Sequence, residues 1–213
     1  MNFINSSVTK AVGGNVVRNA VNDARSRLPG GTINPNIKWE NYNYPPLLKL
    51  IHYDLSELED PVTRSLVRKL NLTFVLVFIV SIINFINSIA QTASGHNGLR
   101  ILYSVLNFFI FVPIALYGFY KGYRGITYTR RELRFYWVVA FIEVVAFMVF
   151  SIISGGNYNG WTRVAFLFGE GDVFQGILAI IESLIYLGNC LLVAFCAYRI
   201  REFSLNAPPE DRL

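Results

Sequence analysis

The run "LNLTFVLVFIVSIINFINSIA", Leu70 to Ala90, holds no charged side chain, and its polar residues are isolated asparagines, serines and one threonine. Three similar runs follow: "ILYSVLNFFIFVPIALYGF" (Ile101 to Phe119), "FYWVVAFIEVVAFMVFSII" (Phe135 to Ile153) and "FQGILAIIESLIYLGNCLLVAFCAY" (Phe174 to Tyr198). A nineteen-residue helix rises roughly 28 Å, enough with flanking anchors to cross a hydrocarbon core of about 30 Å. Lipid offers the backbone no hydrogen-bond partners, so each run is expected to be helical despite its β-branched content. Pro113 is expected to kink the second span. The fold class that follows is an all-α membrane protein with four transmembrane helices.

Composition agrees. Of 213 residues, 53% are hydrophobic and 15% charged, against about 25% charged in a typical soluble domain. The net charge of +5 comes from cations that sit beside the apolar runs, which is how membrane orientation is set, so nucleic acid is not an expected partner. Cys190 and Cys196 both lie inside the last run, which excludes a disulfide framework.

The cations alternate. Arg64, Arg68 and Lys69 precede the first span, the 91–100 connection has only Arg100, and the 120–134 connection has Lys121, Arg124, Arg130, Arg131 and Arg134. Arg163 stands alone in the 154–173 connection, and Arg199 and Arg201 follow the last span. This pattern puts both termini and the 120–134 connection in the cytoplasm. The sequons at Asn5 and Asn71 then face the cytoplasm and should stay unmodified.

The expected organisation is a disordered cytoplasmic N-terminal region (1–44), rich in Asn, Gly, Ser and Thr, then a membrane-proximal amphipathic segment (45–69). The four-helix domain covers 70–198, with spans at 70–90, 101–119, 135–153 and 174–198, and a cytoplasmic tail covers 199–213. Asp60 as N-cap and Pro61 at the first helical position start a short amphipathic pre-membrane helix that runs into the bilayer.

The connection "YGFYKGYRGITYTRREL", Tyr117 to Leu133, is basic and aromatic. On a cytoplasmic leaflet each Lys or Arg near acidic headgroups gains about 1 kcal/mol, so five cations against Glu132 give an attraction on the order of 4 kcal/mol. Tyr120 and Tyr123 are expected to anchor at headgroup level, with Gly118, Gly122 and Gly125 letting the backbone follow the surface. Tyr120, Lys121, Tyr123, Arg124, Arg130, Arg131 and Arg134 are thus the expected lipid-binding loop.

Three motifs in order carry a resemblance. "NYPPL", Asn43 to Leu47, precedes the first span, Tyr120-Lys121-Gly122-Tyr123-Arg124 joins the second and third, and "SGGNYNGW", ending at Trp161, follows the third. Over roughly residues 40 to 203 the chain resembles the secretory carrier-associated membrane proteins. That resemblance implies a non-catalytic role in vesicle traffic, in exocytosis, endocytic recycling and protein transport. It also implies acidic phosphoinositides and cytosolic trafficking proteins as partners, with self-association left open. The implied location is the Golgi and post-Golgi membranes, recycling endosomes or the plasma membrane. The family's Asn-Pro-Phe repeats are represented only by "NPN", Asn34 to Asn36, and its Trp and Arg-Pro before Tyr120 are missing. "YPPL", with Tyr44 and Leu47, fits the Tyr-x-x-apolar sorting pattern.

Two carboxyls lie within the spans, Glu143 and Glu182. A charge near mid-span costs about 2.5 to 3.5 kcal/mol. Measured from the cytoplasmic boundary, Glu143 lies about 12 Å deep beside Asn189 at about 14 Å, and Glu182 about 24 Å deep beside Asn84 at about 21 Å. Two interhelical hydrogen bonds are therefore expected, Glu143 with Asn189 and Glu182 with Asn84. The alternative is a small transporter or proton-coupled channel built on Glu143 and Glu182. His52 and His96 fall on opposite sides of the membrane and cannot share a metal. No catalytic motif and no cofactor is expected.

Overall fold

The computed structural model describes residues 37–156 and 158–205. Four helices are long and apolar enough to cross a membrane: α1 (Pro61–Ala93), α2 (Leu99–Thr127), α3 (Leu133–Ile152, preceded by a 3-10 turn at Arg130–Glu132) and α5 (Val173–Leu205). The short α4 (Trp161–Gly169) lies between α3 and α5. Among the described residues there is no strand, only two isolated bridges. α1 packs on α2 and α5, and α3 on α2 and α5, so the four spans close into a ring. The near end of this ring carries the start of α1, the end of α5 and the α2–α3 connection; the far end carries the α1–α2 connection and α4.

α1 starts where its sequence provides a cap. The Asp60 carboxylate accepts from the Val62 and Thr63 backbone N–H groups at 3.1 and 2.9 Å, and Pro61 has no N–H to lose. Burial pushes the Asp60 carboxyl up, but these bonds and the Thr63 hydroxyl outweigh it and leave the pKa below the ordinary value. The helix then runs unbroken through the first span and ends where Gly95, at φ +90°, takes the left-handed conformation. Pro113 sits inside α2, which stays helical on both sides of it.

The bundle turns its polarity inward. Phe78, Phe85, Phe109, Phe141 and Leu191 are exposed, whereas Asn84, Asn87, Gln91, Glu143, Glu182 and Asn189 are buried. Such an apolar outer face suits lipid and would be untenable in water. Hydroxyls in the spans are satisfied locally: Thr73, Ser81 and Ser151 donate to carbonyls three or four residues back.

The segment before α1 departs from the disordered region expected for 1–44. Residues 1–36, with Asn5 and Asn34, lie outside the described residues, but from residue 37 the chain is folded. Ile37 and Ile51 are buried, Trp39 and Tyr44 pack against the core, and Tyr44 bridges to Ile51. The buried His52 ring fixes this fold, with Nδ1 2.9 Å from the Asn41 carbonyl and Nε2 2.8 Å from Glu57. An Asn-rich composition hid these aromatic anchors.

Helix contact at the near end is made through glycine. A Cβ at Gly118 would stand 2.6 Å from Val139, one at Gly122 3.0 Å from Tyr136, and one at Gly125 would collide with Leu133. These glycines let α2 and α3 approach closely; they do not bend a loop along a surface, as the sequence suggested. Gly118→Leu or Gly125→Leu should lower the midpoint of heat unfolding in detergent by the equivalent of about 1–3 kcal/mol. Gly188→Ala, where a Cβ meets nothing within 4 Å, should leave it unchanged or raise it.

Candidate functional site

Two side-chain assemblies stand at opposite ends of the bundle. At the near end α2 does not stop at Phe119: Tyr120 to Arg124 forms helical turns of α2, which runs to Thr127. The surface-hugging loop expected for 117–134 is therefore a helix end followed by a 3-10 turn. Helical geometry sorts its side chains. Phe119, Tyr123 and Ile126, at i, i+4 and i+7, are buried in the core, so Tyr123 is not a headgroup anchor.

Glu132 organises the cations. Lys121 donates to it at 2.6 Å, and the Arg124 guanidinium is 3.5 Å away. Arg124 also lies over the rings of Trp39, Tyr120 and Tyr128 at 5.2–5.5 Å, a cation–π cage that includes a residue from the segment before α1. Arg130 is buried over Phe203 at 5.5 Å. Arg131 and Arg134 remain exposed. Of five cations expected to face lipid, two face outward from the turn while Lys121 and Arg124 hold a carboxylate.

"NYPPL" is part of the same end. Asn43 clamps Tyr53 reciprocally, accepting from its N–H at 2.8 Å and donating to its carbonyl at 3.1 Å. The Tyr44 ring stands 5.0 Å from Tyr53, 6.0 Å from Phe74 and 6.1 Å from Phe119. Burial pushes the phenols of Tyr44 and Tyr53 above their ordinary pKa. Leu47, by contrast, is 97% exposed, so the two residues of the sorting pattern differ sharply in availability.

At the far end Glu182 is fully buried and its carboxylate receives four N–H contacts. Asn84 donates at 2.9 Å, Asn87 at 2.7 Å, and the Asn159 amide lies 3.1 Å from each oxygen. Asn159 in turn accepts from Arg100 at 2.7 Å and from Gln91 at 3.0 Å, while Gln91 accepts from Arg163 at 2.8 and 3.0 Å. Burial lowers the Arg163 guanidinium from its ordinary pKa, with the Asp172 carboxylate opposing. His96 pairs with Asp172 at 2.6 Å beside this network.

The Asn84–Glu182 contact expected from depth is present. The Glu143–Asn189 contact is not. Both amide atoms of Asn189 and Oε1 of Glu143 are buried without a hydrogen-bond partner. Glu143 lies toward the glycine stripe of α2, where a Cβ on Gly118 would be 3.9 Å from that oxygen. Matching depth left the direction around the helix open: no hydrogen bond joins Glu143 to Asn189, and the Glu143 carboxyl lies beside α2 instead. The sequence reading missed Asn87, Gln91, Asn159, Arg100, Arg163, Trp39 and the inward role of Glu132. Asn84, Asn87 and Gln91 at i, i+3 and i+7 were a visible polar stripe on one face of the first span.

Among the described residues, no three His, Cys, Asp or Glu side chains group to hold a metal. Four antiparallel apolar helices with an inward-facing polar interior define a multi-pass membrane protein. A model of the SCAMP family matches residues 41–206. The chain belongs to that family, which makes it a membrane protein of vesicle trafficking, a secretory carrier protein. Comparison with curated proteins and with solved structures gave no match.

Glu182→Gln places an NH2 group against amide donors that are already committed. Leaving buried donors unpaired costs about 1–3 kcal/mol each, so its unfolding midpoint, followed by size exclusion after heating, should fall clearly. Glu143→Gln, where one oxygen is already unpartnered, should change it much less.

Proposed function

We propose that the chain acts without catalysis in exocytosis and endocytic recycling, with its near end toward the cytoplasm in post-Golgi, recycling-endosome or plasma membranes. There the Arg130–Glu132 turn and the start of α3 meet acidic phosphoinositides and cytosolic trafficking proteins. Family membership supports the trafficking role. The observation that carries the lipid contact is the segregation of charge in the turn: Glu132 is drawn inward by Lys121 and Arg124, and Arg131 and Arg134 face out. The outward face of the turn is cationic, and Lys121 and Arg124 maintain it by holding the acid away. Two outward cations at about 1 kcal/mol each give roughly 2 kcal/mol of attraction, half the value expected from the whole connection.

The cation alternation across the spans supports the cytoplasmic orientation. The transporter alternative is not favoured: Glu182 is saturated by amides and belongs to the far-end network, whereas Glu143 lies against Gly118.

Soluble inositol trisphosphate titrated onto the detergent-solubilised full chain should bind more weakly to the Arg131→Ala/Arg134→Ala variant, by an amount that salt suppresses. Each lost cation is worth about fivefold, from about 1 kcal/mol. Lys121→Ala should instead lower the thermal midpoint and free Glu132. Unchanged binding by the double variant would refute the lipid contact. In cells, a fluorescent fusion should overlap an internalised endocytic tracer, and an exclusively mitochondrial pattern would remove the trafficking assignment.

A further inference from the structure

The stretch from Tyr44 to Ile51, "YPPLLKLI", is a small hairpin closed by the Tyr44–Ile51 bridge. Its base is held in the bundle by Tyr44, against Phe74 and Phe119, and by buried Ile51. Its tip is apolar and uncovered: Leu47 is 97% exposed, Leu48 67% and Leu50 55%. We propose that this hairpin is a membrane-docking loop, its three leucines seated at the boundary between headgroups and acyl chains of the near-end leaflet.

Three observations favour lipid as the occupant. The first is depth. Phe74 lies four residues inside the first apolar run and Phe119 ends the second, so the rings that grip Tyr44 belong to the level where the spans enter the bilayer. Leu47 is three residues from Tyr44, so the tip stays within about 10 Å of that level.

The second is the backbone. Low-dielectric surroundings exclude loops whose N–H groups lack partners. Pro45 and Pro46 have no N–H, Leu48 and Lys49 donate to the Pro45 carbonyl at 3.0 and 2.8 Å, and Leu50 and Ile51 to the Tyr44 carbonyl at 2.9 and 2.8 Å. Leu47 is the exception within the hairpin. The tip therefore carries few donors that water would have to satisfy, an economy that suits insertion.

The third is charge. Lys49, exposed at the tip, is the one ionisable side chain between Tyr44 and Ile51, and its ammonium can reach phosphates while its stem lies along apolar surface. A clathrin-type adaptor reading Tyr-x-x-apolar would need the Tyr44 ring, which is packed between Tyr53, Phe74 and Phe119. The motif therefore offers such an adaptor its apolar residue without its tyrosine, whereas an exposed leucine is all that a bilayer requires.

This inference rests on the four helices spanning a membrane and not on the contact between Arg131, Arg134 and phosphoinositides. The experiment therefore uses the full chain, one copy per nanodisc, in phosphatidylcholine without acidic lipid. Leu47→Cys, Leu48→Cys and, as a reference, Glu40→Cys are labelled with an environment-sensitive NBD dye; Cys190 and Cys196 are buried, and the unsubstituted chain reports any background. At Leu47 and Leu48 the dye should emit to the blue, be quenched by phospholipid spin-labelled high on the acyl chain, and show a several-fold loss of quenching by aqueous iodide relative to Glu40. Adding Leu48→Asp should reduce lipid quenching at Leu47. Iodide quenching at Leu47 and Leu48 equal to that at Glu40 overturns the proposal, and so does protection that arises only with two copies per disc, which would assign the tip to a second chain. Protection in pure phosphatidylcholine alongside an inert Arg131→Ala/Arg134→Ala variant would retain this inference while the phosphoinositide reading falls.

Discussion

Glu182 lies about 24 Å along its helix from the near-end boundary, and its side chain is fully buried. A carboxylate in that position must find donors within the protein, and it finds them on separate pieces of chain: two amides from α1 and one from the connection before α4. The Asn159 amide is itself engaged by Arg100 from the first turn of α2, and Gln91, held by Arg163 from α4, donates to both Asn159 and Asn87. Each partner that leaves would strand a polar atom at a cost of about 1–3 kcal/mol, so the set holds or fails together. Through this one group α1, α2, α4 and α5 acquire a common register at the far end. α3 joins through its ring contacts instead, with Phe147 stacked on Tyr186 one turn beyond Glu182.

Lipid offers little hydrophobic drive for one helix to prefer another, so association must come from close packing and polar contacts. The two ends of the bundle divide these between them. At the far end the polar network does the joining; at the near end Gly118, Gly122 and Gly125 bring α2 onto α3, and aromatic rings fill the remaining space around Tyr123. Ser183 shows the same logic locally, donating from α5 to the Asn159 carbonyl at 2.9 Å and so fixing the backbone of the residue whose side chain holds Glu182.

The existence and order of the four spans could be read from the sequence because hydropathy in long runs is a direct statement about solvent. Helix ends could not be read the same way. α2 continues for eight residues past Phe119 through a basic, glycine-bearing stretch, because Tyr123 and Ile126 still have a core to fill. Depth along a helix paired Asn84 with Glu182 but gave one coordinate of the two required; the direction around the helix axis decided against Glu143 and Asn189. Asn159 had no signal in any helical pattern, since it reaches the network from a connection. Trp39 was hidden by the composition of its neighbours, although it is one of the three rings that cage Arg124.

A flexible basic loop and a folded basic rim attract acidic lipid with similar electrostatics but different entropy. The loop must be ordered when it binds, at a cost of about 0.5–1.5 kcal/mol for each long side chain immobilised. In the folded arrangement the backbone of the 117–134 segment, apart from Tyr128 and Thr129, is already helical or in a 3-10 turn, and Lys121 and Arg124 are already committed to Glu132. Their contribution to a membrane surface is, on the proposed reading, indirect: they neutralise the acid that would otherwise weaken the field of Arg131 and Arg134. On the proposed reading, the number of cations in the connection overstates the attraction, while their arrangement makes the remaining attraction less costly to use. On that reading the near end is a preformed surface: the packing of Trp39 on Tyr128 fixes the rim, and the packing of Tyr44 on Phe119 fixes the root of the leucine-tipped hairpin.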